Sequence, residues 1–390
     1  MPPGLYFSPT SEPAPVIDTS PQALRTRRII GGLACVAGLS LAVALVWDET
    51  WHRMYGGFGD DFLWPPHLLM YGSFLLDAVF AAFGLFIALR RHTGSIRRRF
   101  RSEPAMSLLG LVSLYEVASL PSDQIWHAIY GKDITAWSLP HLFIFGTAAL
   151  MFLMACALLM SGRHDTQWES IRHLKARDLP VVLLVSLATW IALIIGVVEY
   201  EWRFNPGVAH ASAAAPTFAG RPGWAYPVVV LAIGILMSHF ALHILRKPGV
   251  ATFSAVLVLV GRLLYAAVGA TALPPGPATI SHAALVIPAI ALDLWYAWRL
   301  KDVDSRTILL GGIALYWLVF SVLVVPFISD RQVGPEISPS DSLASVIIGA
   351  VVALLVGTGA SALADWIRRM ASQSAPPRLV PRTAERGVAA

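Results

Sequence analysis

Two stretches of the chain repeat one another in residues able to bind a metal: Asp48, His52 and His67 in the first, Asp123, His127 and His141 in the second. In each, a carboxylate and an imidazole stand one helical turn apart, and another imidazole follows at the head of the next apolar segment. Side chains at i and i+4 of a helix have β-carbons about 5–6 Å apart, a gap that one ion bridges with ligand bonds of about 2 Å. The later His closes the set and leaves room for an exogenous ligand. Pro66 and Pro140, each just before that His, suit the first turn of a helix, where a missing N–H costs nothing. The spacing predicts an Asp/His/His triad on each of two helical hairpins.

The repeat extends beyond the candidate ligands. Trp51, Tyr55 and Gly56 are matched 75 residues on by Trp126, Tyr130 and Gly131, and Leu68 and Gly72 are matched 74 residues on by Leu142 and Gly146. A tryptophan, Trp64 or Trp137, also precedes each of the two prolines. A third, eroded copy follows, in which Glu199 and Trp202 keep the acid and the indole but Arg203 stands where the His would be. That hairpin is expected to support the site rather than to bind metal. Asp60, Asp61 and Asp133 are additional ligands or partners that orient an imidazole, and Glu199 and His282 are candidates for the same supporting role. Glu116, seven residues before Asp123 on one helix face, either relays protons from the site or bonds a neighbouring helix.

The elements that must carry these residues are membrane spans. Of 390 residues, 56% are hydrophobic and only 14% charged, against about a quarter charged in a soluble domain; mean hydropathy is +0.63. Apolar runs long enough to cross about 30 Å of hydrocarbon occupy 28–48, 66–90, 104–122, 139–161, 178–200, 225–245, 250–271, 279–299, 306–327 and 342–366. The expected fold is all-α, a polytopic transmembrane bundle of about ten spans built partly from repeated hairpins. It divides into an N-terminal tail (1–27), the duplicated hairpin region with four spans (28–161), six further spans including the degenerate hairpin (162–366), and a C-terminal tail (367–390).

Orientation follows from Lys and Arg, which favour cytoplasmic loops. The loops on one side hold only Arg53, Lys132, Arg203, Arg221 and Arg331, and Arg262 lies within a span. Every other one of the 29 basic residues falls in the tails or the opposite loops. Both termini are therefore expected in the cytoplasm of a cell whose inner membrane holds the protein, with the triads facing the periplasm. The surplus of positive charge reflects this topology rather than nucleic-acid binding. The first apolar run is too long for a cleaved signal, so it is expected as a retained span, and both tails, rich in Pro and Ser or in basic residues, are expected to be disordered. Cys35 and Cys156 lie within spans, as packing residues.

An acid, a His four positions on, and a further His beyond, found twice across membrane hairpins, resembles the copper-binding motif of the particulate methane and ammonia monooxygenases, the copper membrane monooxygenase family. The resemblance covers roughly residues 45–146. It implies copper at Asp48/His52/His67 and at Asp123/His127/His141, a monooxygenase-like oxidoreductase role, and partnership with other membrane or periplasmic copper-protein subunits. Asp123 stands where one triad of that family carries Asn, and the chain has more spans than the family's membrane component that bears the motif. The residue types alone also suit zinc or non-haem iron.

Interfacial anchoring is the competing reading of these residues, because Trp, Tyr and His suit the headgroup region; the joint recurrence of Asp, His and His favours ligation. His210 reads as a loop residue. His239 and His243, also four apart, read as interfacial histidines at a cytoplasmic helix end in preference to a cytoplasmic metal or haem site. Asp77, Arg262 and Asp293 fall near the bilayer midplane, where an ionisable group is costly and points to function, and an ion pair of Arg262 with Asp293 or Asp77 is the structural expectation. No phosphate loop, HExxH, CxxC or dinucleotide fingerprint occurs. Two functions follow. One is oxidation of a small apolar substrate at copper, and the other is capture of an ion by a permease or copper-delivery protein.

Overall fold

The computed structural model describes residues 17–55, 63–130, 138–163, 168–169, 174–202, 222–269, 283–299, 305–328 and 337–373. Every regular element among them is helical: α1 (Pro21–Tyr55), α2 (Pro65–Arg90), α3 (Ile96–Ser102), α4 (Pro104–Tyr130), α5 (Leu139–Met160), α6 (Leu179–Trp202), α7 (Ala225–Leu245), α8 (Val250–Gly269), α9 (Val286–Arg299), α10 (Ser305–Val319), α11 (Val325–Ile328) and α12 (Pro339–Gln373). A π turn (Phe320–Val324) joins α10 to α11. Among the described residues, eight helices are long and apolar enough to cross a membrane: α1, α2, α4, α5, α6, α7, α10 with its π turn, and α12. The chain is a multi-pass membrane protein. Helices α8 and α9 lie where the other two spans are expected, but among the described residues neither is long and apolar enough to cross a membrane, and their facing ends adjoin residues outside the described set.

Helices are forced on such segments because lipid offers no partner for backbone N–H and C=O groups. The outward faces match that solvent: Leu75, Val79, Phe83 and Phe86 on α2, and Ile347, Val351, Leu354 and Leu355 on α12, are exposed. Inside, the first core gathers α1, α2, α4, α5 and α6 with the later turns of α7 and α12. The second gathers α7 to α12 around Tyr226, Tyr316 and Phe320.

Within the first core, α1 packs on α2, α2 on α4, α4 on α5, and α5 back on α1. Small residues permit this closure. A β-carbon on Gly38 of α1 would stand 2.8 Å from the Phe152 ring of α5, and one on Gly31 would stand 2.8 Å from the Leu159 side chain. Membrane helices lacking a hydrophobic drive between them pack through such close approaches.

The helix ends differ from the sequence-based boundaries. Helix α1 starts at Pro21, not at 28, because the Ser20 hydroxyl accepts the Ala23 N–H at 3.2 Å and its carbonyl accepts from Leu24. Arg25, Arg27 and Arg28 are thereby helical. Arg27 is buried, its Nε and Nη2 donating to Glu103 Oε2 and Oε1 at 2.9 and 2.7 Å. At the other end of the chain α12 runs on to Gln373. The remaining parts of both tails lie outside the described residues.

Candidate metal centre

The Arg27–Glu103 pair ties the start of α1 to the start of α4, so these helices run parallel from one level. From that level Asp48 is 21 residues along α1 and Asp123 is 20 along α4, or about 30 Å at about 1.5 Å per residue. Both acids therefore emerge at the same far end of the four-helix ring, one membrane thickness from the ion pair.

Both helices continue past these acids, α1 to Tyr55 and α4 to Tyr130. His52 and His127 thus occupy helical positions one turn beyond Asp48 and Asp123, and their side chains lie outside the described residues. The returning helices begin alike. Trp64 and Ser138 are extended, with φ of −65° and −60° and ψ of 147° and 151°. Each accepts a backbone N–H four residues on, from Leu68 and from Leu142, and a buried proline, Pro66 or Pro140, precedes the histidine in the first turn. The proline ring fixes φ and gives up an N–H that no helical carbonyl could have received.

This shared entry aims both histidines at the acids. His67 Nε2 stands 2.8 Å from Asp48 Oδ1, and His141 Nε2 stands 3.3 Å from Asp123 Oδ1. These are close approaches of ion-pairing atoms rather than aligned hydrogen bonds. The next turn supplies matching rings, Tyr71 at 5.9 Å from the His67 centroid and Phe145 at 6.3 Å from that of His141. The fold thus brings together two of the three predicted ligands in each hairpin. Among the described residues, no group of three or more His, Cys, Asp or Glu stands close enough to hold a metal, as follows when the third member of each triad is outside that set. One carboxylate oxygen and one imidazole nitrogen per hairpin suit copper, zinc or iron alike.

Of the supporting residues proposed from sequence, Asp60, Asp61, Asp133 and His282 lie outside the described residues, as does the Glu199 side chain; the loop residue His210 lies outside them too. Glu116 faces the interior: it is fully buried, both its carboxyl oxygens lack a hydrogen-bond partner among the described residues, and its nearest charged influence is Asp77 of the neighbouring α2. Two acids therefore share the middle of the ring, about two to three turns inward from the hairpin contacts. This pairing across α2 and α4 is not legible in the sequence, because nothing local says which faces of two helices meet.

Two expectations are corrected. Asp293 does not pair with Arg262: its Oδ2 accepts the backbone N–H and the hydroxyl of Thr252, each at 2.7 Å, in the first turn of α8. A carboxylate there meets N–H groups that no helical carbonyl can satisfy and the positive end of the helix dipole. Asp77 is not the partner either, lying in the other core beside Glu116. Nor are His239 and His243 interfacial, since α12 and Trp168 cover them and His239 is fully buried. Sequence reasoning also misses the network at that end of the bundle, where Lys247 Nζ reaches Asp178 at 2.8 Å and Glu169 at 3.3 Å, and Asp178 also pairs with Arg163. Its members are far apart in the chain and carry no shared motif.

Comparison of the chain with protein-family models, with curated proteins and with solved structures finds no match.

Proposed function

We propose that this protein binds a divalent metal, copper in preference, at the periplasmic end of its first four spans, through Asp48, His52 and His67 in one hairpin and Asp123, His127 and His141 in the other. The observation that carries the reading is the recurrence of one Oδ1-to-Nε2 approach, at 2.8 and 3.3 Å, in two hairpins related by an internal repeat. An interfacial network of anchoring residues has no reason to place the same two atoms together twice. Two imidazoles and a carboxylate leave open coordination positions on copper or iron. Copper held there supplies one-electron chemistry toward oxygen, and on that basis we assign the protein a monooxygenase-like role, as the membrane subunit of a larger copper protein. The chain's own residues would hold the ion: Asp48 and Asp123 would each offer a carboxylate oxygen beside the imidazole nitrogen of the returning helix, and Pro66 and Pro140 fix the backbone that presents His67 and His141.

A second reading draws on Asp77 and Glu116. Buried acids inward of the capture site extend polarity toward the midplane, as a permease or copper-delivery protein needs and a static site does not. In that case copper is cargo and the same triads are its entrance.

Metal analysis of detergent-purified protein tests ligation. His52→Ala and His127→Ala are each expected to lose about one ion per chain, and the double variant to lose both; unchanged metal content in the double variant rejects the assignment. Uptake into proteoliposomes then separates the readings, because only the permease moves copper across the bilayer and loses that movement in Asp77→Asn.

A further inference from the structure

At the end of the bundle opposite the hairpins, the structure gives the His239 and His243 pair a burial and partners that its spacing alone does not show. His239 and His243 are one turn apart on α7, with ring centroids 6.1 Å apart and planes 20° from parallel. His239 is fully buried, and neither of its ring nitrogens has a hydrogen-bond partner among the described residues. His243 is held: its Nε2 lies 2.9 Å from the Tyr296 hydroxyl, and its ring meets the edges of Trp168 and Tyr296. Tyr296 also stands edge-on to His239, at 6.4 Å.

A neutral imidazole has one donor and one acceptor, and either group left unsatisfied in a core is destabilising. A fold that buries one with both nitrogens open, beside a second imidazole, has a use for those lone pairs. An i, i+4 histidine pair is the spacing by which one helix offers two nitrogens to one ion. The rings are stacked with centroids 6.1 Å apart, near enough for a turn of the His239 ring to bring one in-plane nitrogen of each to a common ion at about 2 Å. The Tyr296 contact has the form that orients a ligating imidazole: one nitrogen is engaged by an outer partner, which leaves Nδ1 for the metal. His239, with neither nitrogen engaged, can turn to meet it.

The surroundings select the ion. Among the described residues no carboxylate bonds either ring, and the charges of Asp365, Arg246 and Arg368 act on His243. Two neutral ligands, with one carboxylate set against two guanidiniums acting on the pair, compensate a divalent charge poorly, because burying charge without a counter-charge is costly. A monovalent ion that accepts imidazole and needs few ligands fits.

We propose that His239 and His243 form a second metal site, at the end of the bundle opposite the hairpins, that holds a monovalent copper ion between two imidazoles. This site does not depend on the hairpin reading, and its test is arranged to fail separately. Full-length protein with His52, His67, His127 and His141 all changed to Ala is loaded anaerobically with copper and ascorbate, then challenged with the cuprous chelator bicinchoninate. One retained ion per chain is expected, lost on adding His239→Gln or His243→Gln. The glutamine variants keep hydrogen-bonding capacity and are checked for helicity and monodispersity. Equal copper content with and without these changes overturns the site, as does displacement by equimolar zinc. X-ray absorption on the four-alanine protein needs no change at the new site: a shell of two imidazole nitrogens supports the assignment, and a shell with sulfur or carboxylate oxygen refutes it. Loss of hairpin metal with this ion retained leaves the inference standing, and the reverse outcome removes it alone.

Discussion

The first hairpin holds its acid and imidazole at 2.8 Å and the second at 3.3 Å, with His67 only 12% exposed and His141 26%. The backbone entry to the two histidines is the same, so the difference arises on the side of the acids. Helix α1 has Val46 two residues before Asp48, whereas α4 has Pro121 two residues before Asp123. A proline inside a helix removes the hydrogen bond to the carbonyl four residues back and bends the helix there. Serine hydroxyls crowd the same stretch: Ser119 donates to the Glu116 carbonyl at 2.6 Å, and Ser122 donates to that of Ser119. One repeat therefore presents its acid on a regular helix and the other on a relaxed one. Duplicated ligands need not give duplicated affinity.

The most drastic way to test that comparison is to remove both returning histidines. His67→Ala with His141→Ala is expected to strip the hairpins of metal, where each single change removes about one ion, read by elemental analysis per chain. If one single change empties both hairpins, the two triads form a single shared centre and the comparison falls.

Next in size is the register clamp. Arg27→Ala leaves Glu103 buried without its guanidinium, a loss of about 3–5 kcal/mol for a broken buried pair, measured as a lower unfolding temperature by circular dichroism in detergent. Because the clamp sets the common level of α1 and α4, metal retention should weaken in both hairpins together. Weakening in one alone would mean that the hairpins set their registers independently.

A finer measurement is the order of release. The more exposed second site should surrender its metal to a chelator several-fold faster than the first, resolved by repeating the release in His67→Ala and in His141→Ala. Equal rates would show that exposure of the histidine does not govern exchange. The smallest expected effect is that of Pro121→Ala, which restores one backbone hydrogen bond, worth about 1 kcal/mol, and should slow release from the second hairpin toward the rate of the first. A slowed first hairpin instead would assign the difference to some other cause.

Much of this is readable from residues alone. Most apolar run lengths announce the spans, and the acid with a proline-led histidine in each hairpin announces the approaches of Asp48 to His67 and of Asp123 to His141, because helical geometry and the rigidity of proline are local properties. Hydropathy places the start of α1 seven residues late for an equally local reason: the cap at Ser20 prolongs the helix beyond the apolar run, and hydropathy does not see caps. The Arg262–Asp293 expectation fails because opposite charges at like depth suggest a pair, yet the carboxylate finds the N-terminus of α8 first. The nearness of His239 and His243 to Arg246 and Lys247 suggests an interface, and burial by α12, over a hundred residues away, reverses that reading.

What the sequence determined by itself is the class of molecule, the repeat, and the acid and imidazole residues carried by each hairpin, since these rest on composition and on periods of a few residues. Tertiary structure alone decided that the two hairpins close into one ring, that Asp77 faces toward Glu116, and that His239 is buried with His243 against Trp168. Those outcomes depend on which helix faces meet, and that is set by packing energies summed over many residues far apart in the chain, each too small to leave a mark on its neighbours.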